Sequence, residues 1–198
     1  MNGKQTSANS RRSSALTVRK MCIIAFAIVL NVLGGYIALL LRLPIYLDSI
    51  GTIFIAIVYG PVYGMVPPLL YGLVMGFTAD IFSLYYMPVG MVLGLVTGLV
   101  ARHFSLKGWR IFPGALFITI PGTIVSSIIT AVIFGGITSS GSSVIVQLLN
   151  KAGLNLTVSV FIVQILTDYL DRIIALLLVI WLMKVVPASL YERERRTR

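Results

Sequence analysis

Long apolar runs separated by short polar breaks set the pattern of this chain. The first, from about Met21 to Leu41, makes roughly 30 Å of helix, the thickness of a bilayer's hydrocarbon core. Two more, about Ile111 to Ile137 and Leu156 to Val185, are long enough to cross as well. Between Arg42 and Arg102 the run is interrupted at Tyr59-Gly60-Pro61 and near Asp80-Ile81-Phe82-Ser83, where turn residues and a charge break it. These breaks divide the region into three segments of roughly 15 to 20 residues, each enough for a short or tilted crossing. Pro67 and Pro68 fall in this region, so its first two helices are expected to be tilted or partly re-entrant.

Charge gives this pattern a direction. Of the Lys and Arg residues, all but Arg42, Lys151 and Arg172 lie in three clusters: Lys4 to Lys20, Arg102 to Arg110, and Lys184 to Arg198. Basic loops resist translocation, so all three clusters are expected on the cytoplasmic side. The chain leaves the first span outside and reaches Arg102 inside, which demands an odd number of crossings between them. The expected fold is all-α: a polytopic membrane protein, a six-transmembrane-helix bundle with both termini cytoplasmic. Residues 1–18 read as a disordered basic tail, 19–187 as the membrane domain and 188–198 as a second cytoplasmic tail.

Composition agrees: 58% of residues are hydrophobic, 11% are charged and mean hydropathy is +0.97, outside the soluble range. The net charge of +10 flanks apolar spans, so it points to anionic headgroups of a lipid bilayer and not to nucleic acid. The single Cys22 excludes an intramolecular disulfide.

The remaining polar residues sort by position. Arg42, Tyr46 and Asp48 fall in the first outer loop, Asp80, Tyr85 and Tyr86 flank the second, and Asn150, Lys151 and Asn155 belong to the third. In the last helix Gln164, Asp168 and Asp171 recur at i, i+4 and i+7 on one face, and Arg172 follows within the membrane. Asp168 and Arg172, four apart, are spaced to pair; they either line an outward-opening polar pocket or form a salt bridge that only secures packing. Thr123, Ser126, Ser127 and Thr130 make a matching stripe on the fifth helix, facing that pocket or bonding back to their own carbonyls. Glycine ladders at Gly72 and Gly76, and at Gly90, Gly94 and Gly98, imply close helix contact, inside the bundle or with a protein partner.

Several chemistries are excluded. No G-x-x-x-x-G-K-[ST] loop is present, so ATP binding of the P-loop kind is not expected. His103, the one histidine, has no Cys or carboxylate neighbours in its loop, so neither a metal site nor a Ser-His-Asp set is expected, and the chain reads as a non-enzyme without cofactor.

The stretch Leu43-Pro-Ile-Tyr-Leu-Asp-Ser-Ile-Gly-Thr52, followed by Tyr59-Gly-Pro-Val-Tyr-Gly64, resembles the S components of energy-coupling factor transporters. The likeness runs from Met21 to Pro187. It implies a bacterial plasma-membrane protein that captures one water-soluble vitamin outside and delivers it to a transmembrane coupling protein and two ATPase subunits. Substrate would then meet Arg42, Tyr46, Asp48, Tyr85, Tyr86, Ser127, Asn155, Gln164, Asp168 and Arg172. Within the family the sequence looks closest to the pantothenate-type branch, with a pyridoxine or thiamin precursor or a larger corrinoid left open, and Arg42 and Arg172 offer guanidinium groups for a carboxylate. The coupling protein would meet Ala27 and Asn31, where the family often has Ala-x-x-x-Ala, or the Gly60 to Gly64 turn. A stand-alone proton-coupled carrier using Asp168 and Asp171, an intramembrane enzyme and a small assembly factor are the competing readings.

Overall fold

A computed structural model describes residues 3–186, and among these every regular element is helical. The helices are α1 (Gly3–Leu40), α2 (Ile50–Tyr59), α3 (Pro61–Gly64), α4 (Val66–Thr78), α5 (Phe82–Tyr85), α6 (Met87–His103), α7 (Ile111–Ile128), α8 (Ser142–Lys151) and α9 (Leu156–Val185). A π-helical turn, Ile129–Ile133, extends α7. Helical backbone from Gly3 takes in most of the N-terminal stretch expected to be disordered. The expected tail at 188–198 lies outside the described residues.

Helix boundaries follow local chemistry. Gly60, at φ 89°, ends α2 and Pro61 opens α3 in the first turn, where its missing N–H costs nothing. Pro67 in α4 and Pro88 in α6 sit near their helix starts for the same reason. Two helices, Val18–Leu40 and Gly108–Ile133, are long and apolar enough to cross a membrane. The ten residues of α2 reach only about 15 Å, half a hydrocarbon core, because the chain before them folds inward as loop.

α2 sits at the centre. It contacts α1, α4, α6 and α9, and nearly all its residues are buried, as its uniformly apolar sequence requires. Its N-terminus is satisfied from outside: Asn31 on α1 accepts from Gly51 N–H at 2.7 Å and donates to Thr52 Oγ1 at 2.8 Å. Asn31 and Ala27 are therefore wholly buried, Ala27 against the backbone at Gly51. This corrects the expectation that they form a docking face.

Around α2, α4 packs on α1 and α6, α6 on α7, and α7 on α9. The ladder glycines work inside the bundle. A Cβ on Gly94 would strike the backbone of Gly64, and one on Gly98 the backbone of Pro61. Gly60 and Gly64 are thus buried too, and only Val62 and Tyr63 of that turn are exposed.

The bundle has two unlike ends. Toward the 104–110 loop the core is aliphatic, built from Ile53, Ile118, Leu176 and Val179. At the other end, under the 41–49 and 134–141 loops, the buried residues are polar. There α8, in a segment whose sequence pattern predicts loop, lays Val146 against Val160 and Val163 of α9.

Glycine packing makes the first prediction. Gly94→Ala forces a methyl into fixed backbone and is expected to lower Tm by about 2 °C or more, since overpacking costs about 1–3 kcal/mol. Gly122→Ala, whose Cβ meets only Val89 Cγ1 at 4.0 Å, is expected to leave Tm unchanged or raise it. Equal melting of the two variants in detergent contradicts this packing.

Candidate functional site

The 41–49 loop is held by one carboxylate. Asp171, wholly buried on α9, accepts from Leu47 N–H at 2.8 Å (Oδ1) and from the Ser49 hydroxyl at 3.1 Å (Oδ2). Arg172 completes the set, its guanidinium 2.5 Å from Asp171 Oδ2. The loop needs such anchoring: Arg42 and Leu47 have φ of 49° and 54°, a left-handed conformation that disfavours side chains with a Cβ. The expected Asp168–Arg172 pair is therefore replaced. Asp168 turns instead toward α7 and accepts from Thr123 Oγ1 at 2.7 Å.

A polar zipper joins α7 to α9. Gln164 Oε1 accepts from Ser126 at 3.1 Å and Ser127 at 2.7 Å, while its Nε2 donates to Thr130 at 2.7 Å. Thr130 also shares a short hydrogen bond with the Tyr86 hydroxyl. The α7 stripe thus bonds across the interface, whereas Thr119 and Thr167 bond back to their own helices. Each buried hydroxyl in the stripe has a partner, so the zipper satisfies groups that would otherwise be costly inside.

Between the loop and this zipper lies a cavity of about 100 Å³. Tyr46 and Asp48 close it from the loop, Tyr71 from α4, Tyr86 from the start of α6, and Gln164, Asp168 and Arg172 from α9. The Tyr71 hydroxyl reaches the Asp48 carboxylate and Ser83. Tyr46 bonds Ser140 and Ser142 beneath the 134–141 segment, tying the two loops together. Asp80 holds the same segment, accepting from Ser139 Oγ at 2.6 Å. Burial pushes the Tyr46 hydroxyl above its ordinary range, and Tyr86 and Asp168 add to the rise, so it remains a neutral donor. Burial also pushes the Asp48 carboxyl up to about 6; Asp171 adds to the rise, while Arg172 and the Tyr71 hydroxyl oppose it.

Six of the expected substrate contacts converge on this cavity: Tyr46, Asp48, Tyr86, Gln164, Asp168 and Arg172. Ser127 lies behind the wall, bonded to Gln164. Three others lie elsewhere. Arg42 and Lys151 line an adjoining outer cleft, which shares Leu39, Thr138, Ser139 and Ser140 with the cavity wall. Tyr85 is exposed with its ring edge against Phe134. Asn155 is spent on capping α9, its side chain accepting from Thr157 N–H at 2.9 Å. Tyr71 and Ser139 were missed. A lone tyrosine in the apolar α4 run was the available signal for the first, and the Thr138-to-Ser143 hydroxyl cluster for the second. No group of three or more His, Cys, Asp or Glu residues is arranged to hold a metal ion among the described residues.

Comparison of the chain with protein-family models, characterised proteins and solved structures returns no match.

Asp48 makes the second prediction. Its folded value lies above the ordinary carboxylate value, so from about pH 4 to about pH 6 the folded protein keeps a proton that the unfolded chain has released, and stability falls as pH rises. Asp48→Asn removes this contribution. The Tm of the variant relative to the parent is expected to improve steadily across that window. A difference independent of pH contradicts the placement of Asp48.

Proposed function

We propose that this chain is a six-span membrane protein that captures a small water-soluble vitamin, as the S component of an energy-coupling factor importer. The observation that carries the reading is the cavity with its converging polar groups, built at the end of the bundle opposite the basic 102–110 loop and roofed by the anchored 41–49 loop together with the 134–141 segment. Such a site, largely apolar with a few converging polar groups, suits capture of one small solute.

The membrane reading is supported by an inverted distribution of polarity. Asn31, Thr123, Gln164, Asp168, Asp171 and Arg172 are buried, while Phe26, Leu33, Phe117, Ile128, Leu166 and Trp181 are exposed. Water would favour the opposite arrangement, whereas hydrocarbon favours this one. The six spans are α1, α2 with α3, α4, α6, α7 and α9, with both ends on the side of the basic loop. Energy would come from a transmembrane coupling protein and two ATPases, since the chain has no P-loop of its own. With Ala27 and Asn31 buried, the docking surface at the basic end passes to exposed Val62 and Tyr63.

A second reading, the proton-coupled carrier, draws on the buried carboxylate of Asp168. The test is equilibrium binding of a panel of water-soluble vitamins to the purified chain, with uptake into proteoliposomes containing it alone. Tight binding of one vitamin and no uptake are expected. Asp168→Ala is expected to weaken binding about 100-fold, the cost of one lost charge-assisted contact, with the melting transition retained. Uptake by the chain alone turns the assignment to the carrier, and binding of nothing in the panel removes vitamin capture.

A further inference from the structure

All four aspartates of the chain gather at this site. Asp48, Asp80 and Asp168 line the cavity, and Asp171 stands behind Arg172. Arg172 is the one cation in the lining among the described residues, and Asp171 already engages it. Arg42 and Lys151 belong to the outer cleft. Among the described residues, three carboxylates therefore line a cavity whose guanidinium is already paired with a fourth. Hydroxyls from Thr123, Ser139 and Tyr71 bond Asp168, Asp80 and Asp48, but a hydroxyl orients a carboxylate without cancelling its charge. Uncompensated charge away from water is expensive, so a positive group entering here gains where a negative one loses. Tyr46, Tyr71 and Tyr86 add aromatic rings, whose faces attract cations.

A second observation is independent of the carboxylates. Arg172 is only 6% exposed, lines the cavity, and its Nε has no hydrogen-bond partner among the described residues. Buried donors rarely stay unpaired, so the Arg172 guanidinium has donor capacity left over for an acceptor on the solute.

We propose that the cavity takes a small organic cation that also carries a hydrogen-bond acceptor, its positive nitrogen among Asp48, Asp168 and the tyrosines and its acceptor on the Arg172 guanidinium. This rests on the solute-capture reading and names the class of solute. It departs from the pantothenate expectation, which leaned on two guanidinium groups. The structure leaves one of these outside the cavity and pairs the other with Asp171.

The experiment is calorimetric titration of the purified full chain in nanodiscs. The probes are choline, thiamin and pyridoxamine as cations, pyridoxine as the uncharged match to pyridoxamine, pantothenate and biotin as anions, and sodium and potassium chloride. At least one organic cation is expected to bind, and neither anion. Asp48→Asn and Asp168→Asn are each expected to weaken that cation about tenfold or more, the cost of one charge-assisted contact. Asp48→Asn lies on the loop, so it keeps the test open if Asp168→Asn does not fold. Tight binding of pantothenate or biotin overturns the inference and leaves solute capture standing. Binding of pyridoxine as tightly as pyridoxamine, or a response to the inorganic salts alone, also overturns it. Binding of no probe overturns the inference and solute capture together.

Discussion

The arrangement depends on Asp171. A carboxylate with no exposure to solvent is tolerable only if its lone pairs are taken, and here a loop amide, a loop hydroxyl and a guanidinium take them. The same contacts pull the 41–49 loop into the top of the bundle, leaving α2 to start at Ile50 and run only ten residues. They hold Leu47 in a backbone conformation it would not otherwise adopt, which costs about 1–2 kcal/mol. They also commit Arg172, so that Asp168 is free to face the cavity and α7. One residue thus sets the roof of the site and the charge balance within it.

The rest of the polar end follows from the need to satisfy buried groups. Gln164 is bonded through both its oxygen and its nitrogen to α7, which makes it a fastening between helices as much as a wall of the cavity. Asp80, Tyr46 and the serines between them close the roof from the other side. What remains unbalanced is the excess of carboxylates and one guanidinium N–H. Those are the features of the lining with chemistry to spare.

Much of this was legible in the sequence because periodicity is a local property. The all-helical class, the limits of α9, the break at Gly60-Pro61 and the matched stripes on α7 and α9 could be read from spacing alone. Partner choice could not. Spacing offered Asp168 to Arg172 at i+4, but the loop folded back beside α9 and made its neighbour Asp171 the better-placed acceptor. Ala27 and Asn31 resembled a docking face until α2 came to rest on them. Arg42 lies in the adjoining outer cleft, on a backbone of positive φ that no pattern announces. α8 has a strongly one-sided apolar face, yet its serines and glycine neighbours made that segment look like loop. These misses share a cause: each was decided by a contact between residues distant in the chain.

The claim that Asp171 clamps the loop over the cavity is tested most directly by hydrogen exchange at the amides of residues 43–49. In Asp171→Ala these amides are expected to exchange about tenfold faster or more than in the parent, while α6 keeps its protection, because only local opening has become easier. Unchanged exchange in the loop, or loss of protection spread evenly over all helices, would contradict the account.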